Sequence, residues 1–104
     1  MSGEVSTVTL LQWKREPGLL LLSGELERET LLPLWEQRKA VMMQINTIDV
    51  SGLERVDSAG LALLVHLRQI ALEQGVTLSF IGITQKLSSL ITLYNLQEII
   101  ADTQ

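Results

Sequence analysis

Apolar residues are densest in the middle of the chain, where a strand pattern passes into a helix pattern within a few residues. Residues 45–50 are mostly apolar with polar residues between them, which predicts a buried strand. A loop is predicted over residues 51–56, and a helix from about 59 to 74. Asp57 and Ser58 both suit the N-cap of this helix, because a side-chain oxygen there can accept a hydrogen bond from the first-turn amides.

The predicted central helix is more apolar than a helix that covers one face of a sheet needs to be. At about 100° per residue, His66, Gln69 and Glu73 form its one clear polar stripe, and most of the remaining surface is aliphatic. Two explanations fit this excess. One is burial beneath the other helices of the same domain, and the other is a docking surface for a second protein.

Two short strands are predicted before this centre. Residues 7–13 are rich in β-branched and apolar residues, which favour a strand, and residues 19–22 predict a second one. The segment Glu16-Pro17-Gly18 between them is typical of a turn. The two strands are therefore expected to form a hairpin, and residues 23–26 are expected to leave the second strand.

A helix is predicted from Thr30, as its N-cap, through about Met43. Pro33 is compatible with the first turn, where the missing amide removes no hydrogen bond. Trp35 lies on the apolar side of this helix. Trp35 is either a core residue or a partly exposed anchor at an interface, a role that tryptophan often takes.

The last third of the chain repeats the strand–helix order. Gly75 suits a helix end, residues 76–81 alternate as a strand, and Thr84 is expected to cap a helix with apolar residues at helical spacing. The chain, residues 1–104, is thus expected to be a single α/β domain with the order β-β-α-β-α-β-α. It should contain a mixed sheet with an N-terminal hairpin and about three helices, its last two strands joined by a right-handed crossover.

Composition excludes several classes of partner. The chain has 12 acidic and 8 basic residues with no basic run, which argues against nucleic acid and anionic membranes as partners. It has no cysteine, so a disulfide framework and a thiolate metal site are excluded. No apolar run is long enough to span a bilayer, and residues 1–20 lack the basic region and apolar stretch typical of a secretory leader, so none is expected. A soluble cytoplasmic protein without direct membrane insertion is expected.

No catalytic group is predicted. His66 is the only histidine and lies among leucines, where a structural role is expected, and Ser58 lacks the glycine-flanked elbow of the hydrolases. No glycine-rich phosphate loop is present. If Asp49 and Asp57 lie together at the end of the strand, they could bind Mg²⁺, although loop positioning and helix capping fit these residues better. We expect no enzyme activity, no metal and no cofactor.

The segment I-D-V-S-G-L-E-R-V-D-S-A-G-L-A-L-L at residues 48–64 resembles the signature of the STAS domain. In that family an apolar strand ends in D-x-S and is followed by V-D-S/T-x-G before the central helix, and the predicted element order also matches. L-L-P-L-W-E at 31–36, the helix segment at 60–67 and L-Y-N-L at 93–96 resemble the MlaB-like branch of the family.

The resemblance implies a STAS fold and a non-catalytic role. MlaB-like proteins are small cytoplasmic subunits of an ABC transporter complex for phospholipids that maintains outer-membrane lipid asymmetry. The partner implied is the ABC ATPase subunit, MlaF-like, bound to a permease at the inner face of the inner membrane. By the same resemblance, the partner-binding residues are Ser58, at the family's hydroxyl position, with Ala59, Gly60, Leu61 and Trp35 within reach of the same partner.

A second function is implied by other members of the family. Anti-sigma-factor antagonists are partner-switching regulators, and a kinase phosphorylates the hydroxyl that corresponds to Ser58. Those proteins usually carry D-S-S-G, whereas this chain has Ala59 after the serine, which weakens that hypothesis. Two further alternatives are that Ser58 serves only as a helix cap and that the chain is a small-ligand module.

Overall fold

A four-stranded mixed sheet with the order β1-β2-β3-β4 forms the centre of the computed structural model, which describes residues 10–100. Four strands and four helices follow along the chain: β1 (Leu11–Glu16), β2 (Leu19–Leu26), α1 (Leu32–Glu36), α2 (Arg38–Val41), β3 (Thr47–Val56), α3 (Ser58–Glu73), β4 (Ser79–Ile81) and α4 (Gln85–Leu93). β1 and β4 are the two edge strands. The predicted α/β fold with an N-terminal hairpin is confirmed.

The hairpin and the parallel strands take the predicted arrangement. β1 pairs antiparallel with β2 around a turn at Pro17-Gly18, where Gly18 has a φ of 73°, a conformation that glycine adopts without strain. β3 pairs parallel with both β2 and β4. Since α3 connects β3 to the parallel β4, the start of α3 lies at the carboxyl end of β3.

Both central strands are longer than the sequence predicted. The predicted loop at 51–56 belongs to β3, and residues 23–26 remain in β2, so both boundary predictions are wrong. Ser23 pairs with Gly52, and the register shifts once between Leu21 and Ser23 and again between Gly24 and Glu25. Glu25 N donates to Leu10 O over 2.7 Å. Backbone hydrogen bonds hold this polar stretch in the sheet. The stretch therefore lacks the alternation of apolar residues from which a strand could be predicted.

β1 also differs from its predicted range. The structure starts it at Leu11 and extends it to Glu16, three residues beyond the predicted end at Trp13. Residues 7–9 of the predicted strand lie outside the described residues. The added residues Lys14, Arg15 and Glu16 are exposed and charged, and they pair with the leucines of β2, which places them in the ladder despite their low strand propensity.

The helix predicted from Thr30 to Met43 is interrupted at Gln37, which separates α1 from α2. Thr30 does not cap it, because α1 follows Leu31 without a side-chain cap. The Thr30 hydroxyl instead donates to Glu25 O over 2.7 Å and accepts from Glu27 N over 2.9 Å, which fixes the turn after β2. A serine or threonine that precedes a predicted helix can thus form its side-chain hydrogen bonds with backbone groups of a turn instead of with the first amides of the helix.

One face of the sheet is buried against the helices, and α3 supplies much of that core. Six hydrophobic residues of α3 are buried: Leu61, Leu63, Leu64, Leu67, Ile70 and Ala71. They pack with inward-facing residues of the strands, including Leu22, Ile48 and Phe80. Burial within the same domain therefore accounts for most of the excess apolar surface predicted for this helix, and a narrow outward strip is left over.

The C-terminal strand and helix are of the types that the sequence predicts. Thr84 caps α4 as predicted and accepts from Leu87 N over 3.2 Å. β4 is shorter than the predicted strand at 76–81 and contains only Ser79–Ile81, because the rest does not pair with β3. Among residues 10–100, none of the helices has the length and hydropathy that a bilayer crossing requires.

Candidate partner-binding surface

Asp57 begins α3 and ties it to the segment that follows β2. Its Oδ1 accepts from Gly60 N over 2.9 Å, as an N-cap carboxylate does, and its Oδ2 accepts from Arg28 N over 3.0 Å. Of the two residues predicted as caps, Asp57 is the cap and Ser58 is the first residue of the helix. The cap fixes the position of the exposed Ser58 at the start of the helix.

The electrostatics of the cap favour the ionised form of Asp57. Partial burial alone would raise the pKa of this carboxyl, but hydrogen bonds from the backbone amides of Arg28, Gly60 and Ala59 together outweigh it. The pKa of Asp57 is therefore lowered from its usual value of 3.8. The negative charge also interacts favourably with the positive end of the α3 dipole.

We expect Asp57→Asn to destabilise the protein by about 1 kcal/mol at neutral pH. The amide oxygen can still accept from Gly60 N, but the amide NH₂ would face the Arg28 N–H, so one hydrogen bond is lost. Because the folded pKa is below the unfolded one, the wild-type advantage exists above the unfolded value and disappears as pH falls through the folded value. Urea unfolding of both proteins from about pH 7 to about pH 2.5 measures this. A difference that stays constant across this range would contradict it.

The predicted contact residues at the start of α3 divide between two environments. Ser58 is exposed and Ala59 is half-buried, whereas Gly60 is buried and Leu61 is only 2% exposed. A Cβ at Gly60 would lie 2.0 Å from Leu26 O, so this glycine allows α3 to approach β2 closely. Ser58 and Ala59 are accessible to a partner. Gly60 and Leu61 are buried and pack the start of the helix against the rest of the domain.

An outward strip of small and weakly polar residues continues from Ser58 along α3. Ala62, Gln69 and Leu72 are exposed, and Val65 is half-buried. Their spacing of three and four residues puts them on the same face of the helix as Ser58. We call these five residues the α3 strip. It carries no formal charge, which suits contact with a protein surface.

Trp35, the remaining predicted contact residue, lies beside this helix in a cluster of three side chains. Its ring centroid is 4.7 Å from that of His66 on α3, and the Arg38 guanidinium carbon is 3.8 Å from the Trp35 ring. Arg38 Nε donates to His66 Nε2 over 3.1 Å. Trp35 and His66 are each half-buried, so the cluster, here the Trp35–Arg38–His66 cluster, joins α1 and α2 to α3 at the surface.

Sequence reasoning did not find this cluster. Arg38 follows Trp35 by three residues, a spacing that puts both on one side of a helix, and this is the only indication the sequence offers. The contact with His66 spans 28 positions in sequence and depends on how α2 docks on α3. The predicted structural role of His66 takes a specific form here, since its ring packs on Trp35 and its Nε2 accepts from Arg38.

The possible carboxylate pair is contradicted. Asp49 lies near the start of β3, opposite Ile81 of β4, whereas Asp57 follows the far end of the same strand. At about 3.3 Å per residue, the eight intervening steps put them more than 20 Å apart. Asp49 Oδ1 accepts from Ser51 N over 2.9 Å, a local role in the strand. Within the described part of the chain, no group of three or more metal-ligating side chains occurs.

Sequence comparison relates the chain to a defined set of bacterial proteins. It is 45% identical over 86 residues to the "Intermembrane phospholipid transport system binding protein MlaB" of Escherichia coli strain K12, with 83% of this chain and 89% of that protein covered. The protein of the same name from Haemophilus influenzae is 33% identical over 99 residues, with 88% and 93% covered.

Solved structures share the fold at low sequence identity. The unphosphorylated anti-sigma factor antagonist SpoIIAA superposes with a TM-score of 0.69 at 13% identity, covering 90% of this chain and 88% of that one. A STAS-domain anti-sigma-factor antagonist from Planctomyces limnophilus gives 0.67 at 15%, with 90% and 88% covered. Residues 9–101 match the family described as "Mlab, STAS domain". The chain therefore belongs to the Mlab STAS-domain family.

Proposed function

We propose that this protein is a non-catalytic accessory subunit of an ABC transporter complex that moves phospholipids and maintains outer-membrane lipid asymmetry. The observation that carries the proposal is 45% identity, over most of the chain, to a protein named for intermembrane phospholipid transport. In this role it binds the cytoplasmic ATPase subunit, supports its activity, and reaches the inner face of the inner membrane through the complex with the permease.

The geometry of α3 supports binding to a protein. The exposed Ser58 and the half-buried Ala59 sit at the start of the α3 strip, where small side chains allow another backbone to approach closely. Trp35 flanks the strip as a half-buried aromatic residue, the type of side chain that dominates many interfaces. Gly60 and Leu61 hold the helix start against β2 beneath this contact.

The alternative function, a partner-switching regulator, would also use the exposed Ser58. Ser58 could receive a phosphate at the positive end of α3, as the helix dipole would tolerate the added charge. The anti-sigma factor antagonists that superpose on this chain are only 13–15% identical, however, and such a likeness carries fold alone. The names of the more similar relatives favour transport.

Co-purification tests the proposal. We expect the full chain, expressed with an affinity tag in its own organism at native level, to retain an ABC ATPase, and the purified ATPase to hydrolyse ATP faster with the chain than alone. Recovery of an anti-sigma factor in place of the ATPase, together with a phosphate-sized mass increase at Ser58, would instead establish the partner-switching function. Addition of this chain to a non-cognate ABC ATPase serves as the control for non-specific stimulation.

A further inference from the structure

Arg38 is a cation whose surroundings fix the plane of its guanidinium. Nε donates to His66 Nε2 over 3.1 Å, and Nη1 donates to Trp35 O over 2.8 Å. The guanidinium carbon lies 3.8 Å from the Trp35 ring centroid, within stacking distance. Three contacts on two sides leave this half-buried side chain little rotational freedom.

His66 acts on Arg38 through a single acceptor nitrogen. Nε2 accepts the hydrogen bond from Arg38 Nε, so this nitrogen presents its lone pair to the guanidinium. The ring also packs against Trp35 at a centroid distance of 4.7 Å. His66 is therefore a positioning residue, which orients Arg38 and Trp35 together.

One nitrogen of the Arg38 guanidinium, Nη2, has no hydrogen-bond partner among residues 10–100. Nη2 has two N–H groups, and neither donates a hydrogen bond to any of residues 10–100. The ion pairs among residues 10–100 are Lys14 with Glu16 and Glu27 with Arg55, so Arg38 forms none there, although acidic residues outnumber basic ones in the chain. Within residues 10–100, Arg38 is thus a half-buried, oriented cation that forms no ion pair.

We infer that Arg38 receives an aspartate or glutamate side chain of the ATPase subunit, an inference that rests on the proposed function. The two N–H groups of Nη2 are charged donors in a fixed plane, and a carboxylate is the protein group that best accepts from such donors. His66 lies eight residues after Ser58 on α3, about 12 Å along the helix. That distance fits within one protein interface, so Ser58 and the cation can contact the same partner.

An anionic lipid headgroup is the less suitable occupant. Membrane surfaces attract clusters of about four to eight basic residues, whereas Arg38 has only the exposed Lys39 beside it in sequence. The fixed orientation also favours a partner group that is itself held in place. A carboxylate on a folded protein is held in place in this way, whereas a lipid headgroup is mobile.

The test measures the affinity of the purified chain for the purified ATPase by calorimetry, for the wild type, Arg38→Gln, Arg38→Lys and His66→Phe. We expect Arg38→Gln to weaken binding by about tenfold or more. Arg38→Lys should recover only part of the loss, since lysine lacks the planar edge. His66→Phe keeps an aromatic ring against Trp35 but removes the acceptor, and should cost several-fold. Lys39→Gln, which removes the neighbouring exposed charge, is the matched control and should change the affinity by less than about twofold.

Salt dependence and charge exchange separate a direct ion pair from a structural role. Wild-type binding should weaken between about 50 mM and about 500 mM NaCl, and Arg38→Gln should reduce that slope. Arg38→Glu should lose binding, and one acidic-to-lysine variant of the ATPase should restore it.

The inference is overturned if the wild type binds but Arg38→Gln matches it in affinity and salt slope, or if Arg38-dependent binding goes to phosphatidylglycerol vesicles. Failure of the wild type to bind the ATPase overturns the proposed function as well. Should His66→Phe not fold, the Arg38 variants decide the matter alone.

Discussion

Replacing Gly60 with alanine is expected to destabilise the protein by about 3 kcal/mol or more. Helix propensity alone predicts the opposite, a gain of about 1 kcal/mol for alanine in a helix interior. The added Cβ would lie 2.0 Å from Leu26 O and 2.8 Å from Leu26 C, and backbone atoms cannot rotate away as a side chain would. Leu26 O also accepts from Asp57 N, so a shift there disturbs the start of α3.

Urea unfolding of Gly60→Ala against the wild type measures this effect. Gly75→Ala is a suitable control, since it adds the same methyl group where nothing lies within 4 Å and costs only the strain of a φ of 79°, about 1–2 kcal/mol. A Gly60→Ala protein as stable as the wild type would mean that α3 can move away from β2 at little cost. In that case Gly60 would not set the position of the helix start.

The second large effect is expected at the surface. Ser58→Glu should weaken binding to the ATPase subunit by about a hundredfold or more. A longer charged side chain at an exposed position would enter the contact between the partner and the α3 strip, and would have to be desolvated there. The substitution should not unfold the protein, because a negative charge in the first turn of a helix is favourable.

Calorimetric titration with the purified ATPase, together with the thermal unfolding midpoint of each variant, measures the two effects separately. Ser89→Glu introduces the same side chain at an exposed position on α4 and should bind as the wild type does. Ser58→Ala, which keeps the small size, should lose less than about threefold. Equal affinities for Ser58→Glu and Ser89→Glu would move the interface away from the start of α3.

The central strand and helix could be predicted because dense apolar periodicity coincides with a strong cap. The limits of α3 differ from the predicted ones by a single residue at each end, and Asp57 was one of two caps considered. The extension of β3 to Val56 could not be predicted in the same way. Its last six residues include one buried side chain, Leu53, and backbone pairing with β2 keeps them in the sheet.

Part of the candidate site could also be predicted from local sequence patterns. Ser58 could be placed at the start of a helix from local pattern and family resemblance, and it proves to be exposed. At about 100° per residue, Gly60 points roughly 200° away from it, so periodicity alone implies its burial. The contact of Arg38 with His66 is different, because it depends on the interruption at Gln37 and on the docking of two helices.

The two edge strands have a consequence for how the protein can assemble. An edge strand presents unpaired amides and carbonyls that can template the addition of a strand from a second molecule. β4 has only three residues, and the exposed end of β1 carries Lys14, Arg15 and Glu16, so each edge is either too short or too charged for that reaction. Sheet-to-sheet polymerisation is thereby discouraged, even at the high local concentrations that a multi-subunit assembly creates.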